Sequence, residues 1–190
     1  FGIIGGCDGL AQGHPGMHYI LPSRDLIAND VEMMVQAHQL DGVVLLGSCD
    51  KILPGLLMAA ARLDIPAIIL PGGPMMGGLP FDGRPSDLTS VSEALGMLKV
   101  GKIDEERLAE LEESCGPGCG SCSFYGTANT MCCLAEAMGM TMPGAALIPA
   151  VYAERTRCAT QTGRQIVQMV QESRTARTVI TQDALINATR

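Results

Sequence analysis

The stretch from Gly42 to Leu70 constrains the fold more than any other. "GVVLLG" is a short uninterrupted aliphatic run, the pattern of a strand buried in a parallel sheet. "LPGLLMAAARL" follows with helical spacing, and Pro54 falls in its first turn, where a missing N–H costs nothing. "IPAIIL" is then a second strand. Strand, helix and strand in this order predict parallel pairing through a right-handed crossover. The fold class expected is therefore α/β, a parallel sheet flanked by helices.

The remaining segments extend this frame. "FGIIGG" predicts a first strand closing on glycines, and the Gly- and Pro-rich "CDGLAQGHPGMHYILPSR" predicts a loop. Ser23 is placed to cap a helix carrying Leu26, Ile27, Val31, Met34 and Val35 and ending near His38 or Leu40. "PGGPMMGGLPFDGRP" is a second loop. Ser86 or Asp87 then caps "LTSVSEALGMLKVG", and Asp104 caps "IDEERLAELEESC". A third glycine-rich loop, "GPGCGSCSFYG", precedes an apolar helix opened by Thr127. A long helix is expected over "LIPAVYAERTRCATQTGRQIVQMVQ", and a last one after Thr181, so the C-terminal half is helix-rich. There is no internal repeat. Residues 1–190 are expected to form one α/β domain. Opening on Phe and directly on a strand-like run, the chain is expected to be a piece of a longer protein.

Charge and cysteine content narrow the function. The formal net charge is −7. Nucleic acid and anionic membrane surfaces both want clustered Lys and Arg, so neither is expected as a partner. No apolar run reaches the ~20 residues of a membrane span. Eight cysteines are many for such a chain. Secreted disulfide scaffolds are usually shorter and loop-rich, so a metal or iron–sulfur site in a reducing, cytoplasmic compartment fits better.

Three loops carry Cys beside glycines: Cys7-Asp8-Gly9, Cys49-Asp50-Lys51, and Cys115 through Cys122. Two of them follow predicted strands. In open parallel sheets ligands bind beyond the carboxyl ends of strands, so the loops are expected to meet on one rim. Cys119-Gly-Ser-Cys122 alone is open to three readings: redox dithiol, zinc half-site or iron–sulfur ligand. Cys49 offers a soft thiolate. Asp50, on the other side of an extended chain, offers a hard oxygen for a cation such as Mg²⁺, and Lys51 a charge for either anion. Asp8 is a second oxygen donor or the start of an Asx turn. His14 and His18 are four apart, but Pro15 and Gly16 rule out an α-helical zinc pair, leaving His14 to loop solvation or substrate hydrogen bonding. Cys132, Cys133 and Cys158 are expected to pack as small hydrophobes.

"CDGLAQGHPGMHYILPSRDLIA", "GSCDKILPGLLMA" and "CGSCSFYGTANTMCCLAEAMGM" together resemble the dihydroxy-acid dehydratase and phosphogluconate dehydratase family. The resemblance covers nearly the whole chain and implies part of an N-terminal domain, with a C-terminal domain absent. It implies a hydro-lyase that converts a 2,3-dihydroxy carboxylic acid to a 2-keto acid, with a [2Fe–2S] or [4Fe–4S] cluster and Mg²⁺. By resemblance, Cys49 and Cys122 are cluster ligands. Asp8, Asp50 and Lys51 are Mg²⁺ ligands, the lysine through a carbamate. A further cluster cysteine, a glutamate ligand and a serine base are expected outside this chain, and a homodimer or tetramer is implied. "CGPGCGSC" and "LPSRDLIA" lean to the branched-chain amino-acid enzyme, "SFYGTANT" and "GPMMGGLP" to sugar-acid dehydratases. A non-enzymatic metal or redox module built on Cys119 and Cys122 is the reading from another class.

Overall fold

The computed structural model describes all residues 1–190. Two parallel strands, β1 (Val43–Gly47) and β2 (Ala67–Pro71), pair in register from Val43 opposite Ala67 to Gly47 opposite Pro71. Helix α3 (Ile52–Leu63) connects them, as the strand–helix–strand pattern requires. Before them come α1 (Asp8–Ala11), a 3₁₀ turn (Pro15–Tyr19) and α2 (Ile20–His38). After them come the hairpin strands β3 (Pro80–Phe81) and β4 (Arg84–Pro85), then α4 (Leu88–Lys99) and α5 (Glu105–Ser114). The chain ends in α6 (Thr127–Ala137), α7 (Ala153–Gln171), α8 (Ala176–Val179) and α9 (Gln182–Thr189).

The main core lies where α2, α3 and α6 meet the sheet. Ile27, Leu53, Leu56, Ile69, Cys132 and Met140 are almost fully buried there. With no Trp and few aromatics, the interior is filled by aliphatic side chains. A second, smaller cluster joins Phe81, Ala94, Leu111 and Cys115 beneath the hairpin. Gly47 matters to both fold and site. A Cβ there would stand 2.7 Å from Leu56 Cδ1 and 2.9 Å from Ile52 Cγ2, so glycine lets α3 close over the end of β1.

Several boundaries differ from expectation. Residues 1–6 form no strand; the sheet holds only β1 and β2, and Phe1 instead stacks on His38 with ring centroids 4.8 Å apart. The outer edge of β1 is consequently unpaired, and Leu46 is 64 % exposed. Ser23 is not a cap: α2 begins at Ile20, with Pro22 in its first turn, and the Ser23 hydroxyl donates back to the Ile20 carbonyl at 2.5 Å. The first loop holds α1 and the 3₁₀ turn, since Pro15 is tolerated at a helical first position. The second loop holds the β3–β4 hairpin, turned by Asp82 and Gly83 with φ of 49° and 77°. The long helix begins at Ala153 rather than Leu147, because Pro149 lies in a run of turns.

The caps at Asp87, Asp104 and Thr181 form as expected. Asp87 accepts from the Thr89 and Ser90 N–H groups, and the Ser90 hydroxyl accepts from the Asp87 N–H, completing a capping box. Burial pushes the Asp87 carboxyl up, but the hydrogen bonds from Thr89 and Ser90 and the nearby Arg84 outweigh it and hold it below its ordinary value. Its contribution is therefore present above the unfolded value of ~3.9 and lost as pH falls through the lowered folded value. Asp87→Ala should cost about 1 kcal/mol of unfolding free energy at pH 7. Urea titrations should show that cost shrinking as the pH falls below ~4.

Candidate metal centre

Three segments converge beyond the carboxyl end of the sheet. The first is the Cys7–Asp8 entry to α1. The second is Cys49–Lys51, between β1 and α3. It is a turn rather than the expected extended segment, because the Leu53 N–H already bonds the Cys49 carbonyl at 3.2 Å and the Gly55 N–H the Lys51 carbonyl at 3.1 Å. The third is the Ser121–Thr127 loop, held against the sheet by the residues that follow β2. The Ser121 N–H donates to the Gly73 carbonyl at 2.9 Å and the Met75 N–H to the Ser121 carbonyl at 2.8 Å. Gly120 permits that docking: its φ is +139°, and a Cβ would collide with the Met75 N–H and the Pro74 carbonyl carbon.

Asn129 secures the loop from within α6. Its Nδ2 donates at 2.8 Å to both the Cys122 and Phe124 carbonyls, and its Oδ1 stands 3.2 Å from the Ser121 hydroxyl. The side chain is 2 % exposed, so these partners are all the more binding. Sequence reading passed over Asn129. The available signal was an amide at a buried position of an otherwise apolar helix, one turn after a glycine loop.

The acids form a connected group. Asp50 is buried and pairs with the Lys51 ammonium, with Thr127 and Asp8 close beside it. Burial pushes the Asp50 carboxyl up, but the bonds from Lys51 and Thr127 win and hold it below the usual range. Asp8 shifts the other way, raised by burial and then by the Asp50 charge beside it. Asp8 therefore holds a proton more tightly than Asp50 does. Thr127 was expected only to open α6.

The thiols share this field. Burial raises the Cys49 thiol, and the charges of Cys7, Asp8 and Cys122 raise it further; the Asp50 N–H opposes them. Cys122 is raised by burial and by Cys7, Asp8 and Asp50. Sequence reading gave Cys7 no role, although it sits in a Cys-Asp pair like Cys49-Asp50. Cys119 is exposed and is not among the main charges acting on Cys49 or Cys122. His14 is engaged locally: its Nδ1 accepts from the Gly16 N–H at 3.0 Å and its Nε2 lies 2.9 Å from the Leu10 carbonyl. Cys132 and Cys158 are buried as expected, and burial pushes the Cys132 thiol up to about 11.

Soft thiols and hard carboxylates thus share one rim with a single lysine. A bound cation would lower the proton affinity of these donors. No three His, Cys, Asp or Glu side chains stand close enough to hold one metal ion by themselves. The arrangement is a partial set of donors of two kinds.

The sequence profile described as "Dihydroxy-acid/6-phosphogluconate dehydratase N-terminal" matches residues 1–190. The chain belongs to this family. It is 53 % identical over 188 residues to a protein of Caldanaerobacter subterraneus subsp. tengcongensis named dihydroxy-acid dehydratase, covering 99 % of this chain and 34 % of that one. It is 50 % identical over 190 residues to the protein of that name from Methanoregula boonei, covering 100 % and 34 %. For the one from Clostridium pasteurianum the identity is 50 % over 188 residues, covering 99 % and 65 %. The chain thus spans about a third of the first and second relatives and under two thirds of the third.

Proposed function

We propose that this chain is the metal-holding part of a hydro-lyase that dehydrates a 2,3-dihydroxy carboxylic acid to a 2-keto acid. The observation that carries the reading is the meeting of Cys49 and Cys122 with Asp8 and Asp50 on one rim. The donor set fits two different metals. Cys49 and Cys122 would hold an iron–sulfur cluster, [2Fe–2S] or [4Fe–4S], because thiolates suit it. Asp8 and Asp50 would hold Mg²⁺, because hard oxygens suit that ion. When bound, the two groups supply Lewis acidity for a leaving hydroxide and charge stabilisation for an enolate.

The chain's own residues prepare this. Asp8 and Asp50 would both offer carboxylate oxygens to a bound cation. Thr127, beside Asp50, helps Lys51 hold that carboxyl below the usual range. Lys51, once deprotonated, can add its Nζ lone pair to carbon dioxide; a carbamate forms and one proton is released. That exchanges an ammonium that repels Mg²⁺ for an oxygen ligand. Asn129 keeps Cys122 at the rim through the Cys122 carbonyl.

The names of the relatives favour the dihydroxy-acid enzyme of branched-chain amino-acid synthesis over a sugar-acid dehydratase. Too few donors for one ion supports a site completed by a C-terminal domain outside the chain. The unpaired edge of β1 and its exposed Leu46 support packing against further protein, in a homodimer or tetramer. No helix is long and apolar enough to cross a membrane, and all eight cysteines are free, which suits a cytoplasmic setting. In full-length protein purified without oxygen, iron, acid-labile sulfide and turnover of 2,3-dihydroxyisovalerate are expected together. Metal-loaded protein that turns over only sugar acids would refute the substrate class, and protein without iron would refute the site.

A further inference from the structure

A cavity of about 370 Å³ lies beside the amino-terminal end of β2, at the opposite end of the sheet from the rim that carries Cys49 and Asp50. One wall is the segment that follows α6. The Ile69 N–H donates to the Met140 carbonyl at 2.7 Å and so lays this segment along the outer edge of β2. The other wall is α7. Ala67, Ile68 and Met169 make part of the lining apolar.

Three polar side chains of the lining lack a partner that their chemistry calls for. Thr141 is only 6 % exposed, and its Oγ1 is enclosed with no hydrogen-bond partner in the protein. Buried hydroxyls are ordinarily bonded, so one that lines a cavity is placed for what fills it. Arg174 also lines the cavity, and its guanidinium enters no ion pair. Its backbone is fixed at the end of α7, where its N–H donates to the Met169 carbonyl at 2.9 Å. The Glu136 carboxylate accepts from the Gly144 N–H at 2.6 Å and the Ala146 N–H at 2.9 Å, but it meets no cation. Each of its oxygens keeps a lone pair for another donor. Glu136 also stands in the last turn of α6, whose carbonyl end favours a positive charge.

One cavity thus carries a positive and a negative side chain that are not paired with each other. A simple anion there would meet Glu136, and a simple cation would meet Arg174. An apolar molecule would leave both charges and the Thr141 hydroxyl without partners. We infer that this cavity binds a free α-amino acid with a short aliphatic side chain. Its carboxylate is taken by Arg174 and the Thr141 hydroxyl, its ammonium by Glu136, and its side chain by Ala67, Ile68 and Met169. The half-buried Gln165 amide on the α7 wall can donate to that carboxylate or accept from that ammonium. The volume falls within the ~300–1,000 Å³ of small-molecule sites. The cavity shares no residue with the rim, so this inference stands apart from the iron–sulfur reading.

The test is calorimetric titration of the full-length protein with L-valine, and with isovalerate and isobutylamine, which lack its ammonium and its carboxylate respectively. Native protein is compared with Arg174→Gln, Thr141→Val and Cys49→Ala, with circular dichroism confirming each fold. L-valine should bind, and each truncated probe should bind at least about tenfold more weakly, the scale of one lost charge-assisted hydrogen bond. Arg174→Gln should weaken L-valine by at least about the same factor. Thr141→Val, which keeps the volume and removes the hydroxyl, should weaken it too. Arg174 is exposed, so its variant keeps the test sound if Thr141→Val fails to fold. Cys49→Ala should bind L-valine as native protein does; loss there would place the amino acid at the rim and overturn the inference. Native protein that binds L-valine no more tightly than about 1 mM overturns it. So does equal binding of isovalerate, which would mark a plain anion site, and so does native affinity in Arg174→Gln. None of these results bears on iron content, so the iron–sulfur reading stands or falls separately.

Discussion

Full-length protein carrying Cys49→Ala should lose dehydration by at least about a hundredfold, the scale on which removing a site's electrostatic stabilisation acts. Iron per chain should fall with it. Cys49 leaves the end of β1 at the turn into α3, and its thiol shares a field with Cys122, Asp8 and Cys7. Cys122 cannot move into its place, because the Asn129 clamp holds its own carbonyl. Cys132→Ala is the control. That residue is fully buried in the main core, so its loss should lower stability and leave iron unchanged. Iron content and initial rate, measured on the same preparations, separate the two. Native iron and rate in Cys49→Ala would remove Cys49 from the site.

Asn129→Leu should be the most damaging change that touches no proposed metal ligand. It leaves the Cys122 and Phe124 carbonyls without their shared donor and the Ser121 hydroxyl without Oδ1. Leaving buried polar groups unpartnered costs about 1–3 kcal/mol for each group. Part of that is recovered as the loop opens to water, so roughly 2–4 kcal/mol of stability should be lost. For a chain of this size the melting temperature should fall by about 5–12 °C. Asn129→Asp distinguishes a clamp from simple packing. It keeps the volume and the acceptor for Ser121 but replaces the donor with a charge that repels both carbonyls. It should be at least as destabilising as leucine; a near-native melting temperature in Asn129→Asp would show that packing alone matters.

The strand–helix–strand unit was legible because its signal is local. Val43 to Leu46 cannot be comfortably exposed on both sides, and Ile52 to Leu63 repeats apolar residues on one helical face. The caps at Asp87, Asp104 and Thr181 were legible for the same reason, since a cap bonds N–H groups two or three residues away. Ile20 to Pro22 misled because a proline beside a loop-like run conceals a first helical turn. Leu147 to Tyr152 misled in the opposite sense, because apolar spacing continued through Pro149 while the backbone turned. The failed strand at residues 1–6 has another cause. A strand exists only through a partner, and nothing in those residues says which edge is available to them.

The sequence by itself determined which atoms are on offer: eight thiols, a repeated Cys-Asp pair, one Lys beside the second pair, and glycines that let the chain turn tightly around them. It also determined the frame, because alternation, helical spacing and capping act over a few residues. Only the tertiary structure decided which donors share a field. Cys7 lies 42 residues from Cys49 in the chain, and Cys122 a further 73. Their meeting follows from the closure of α3 over Gly47, the docking of Gly120 against Met75, and the hold of Asn129 on the Cys122 loop. Of these, the docking of Gly120 against Met75 joins segments distant in sequence, and the Asp8 carboxyl is raised by burial and then by Asp50, neither of which its neighbours in the chain supply.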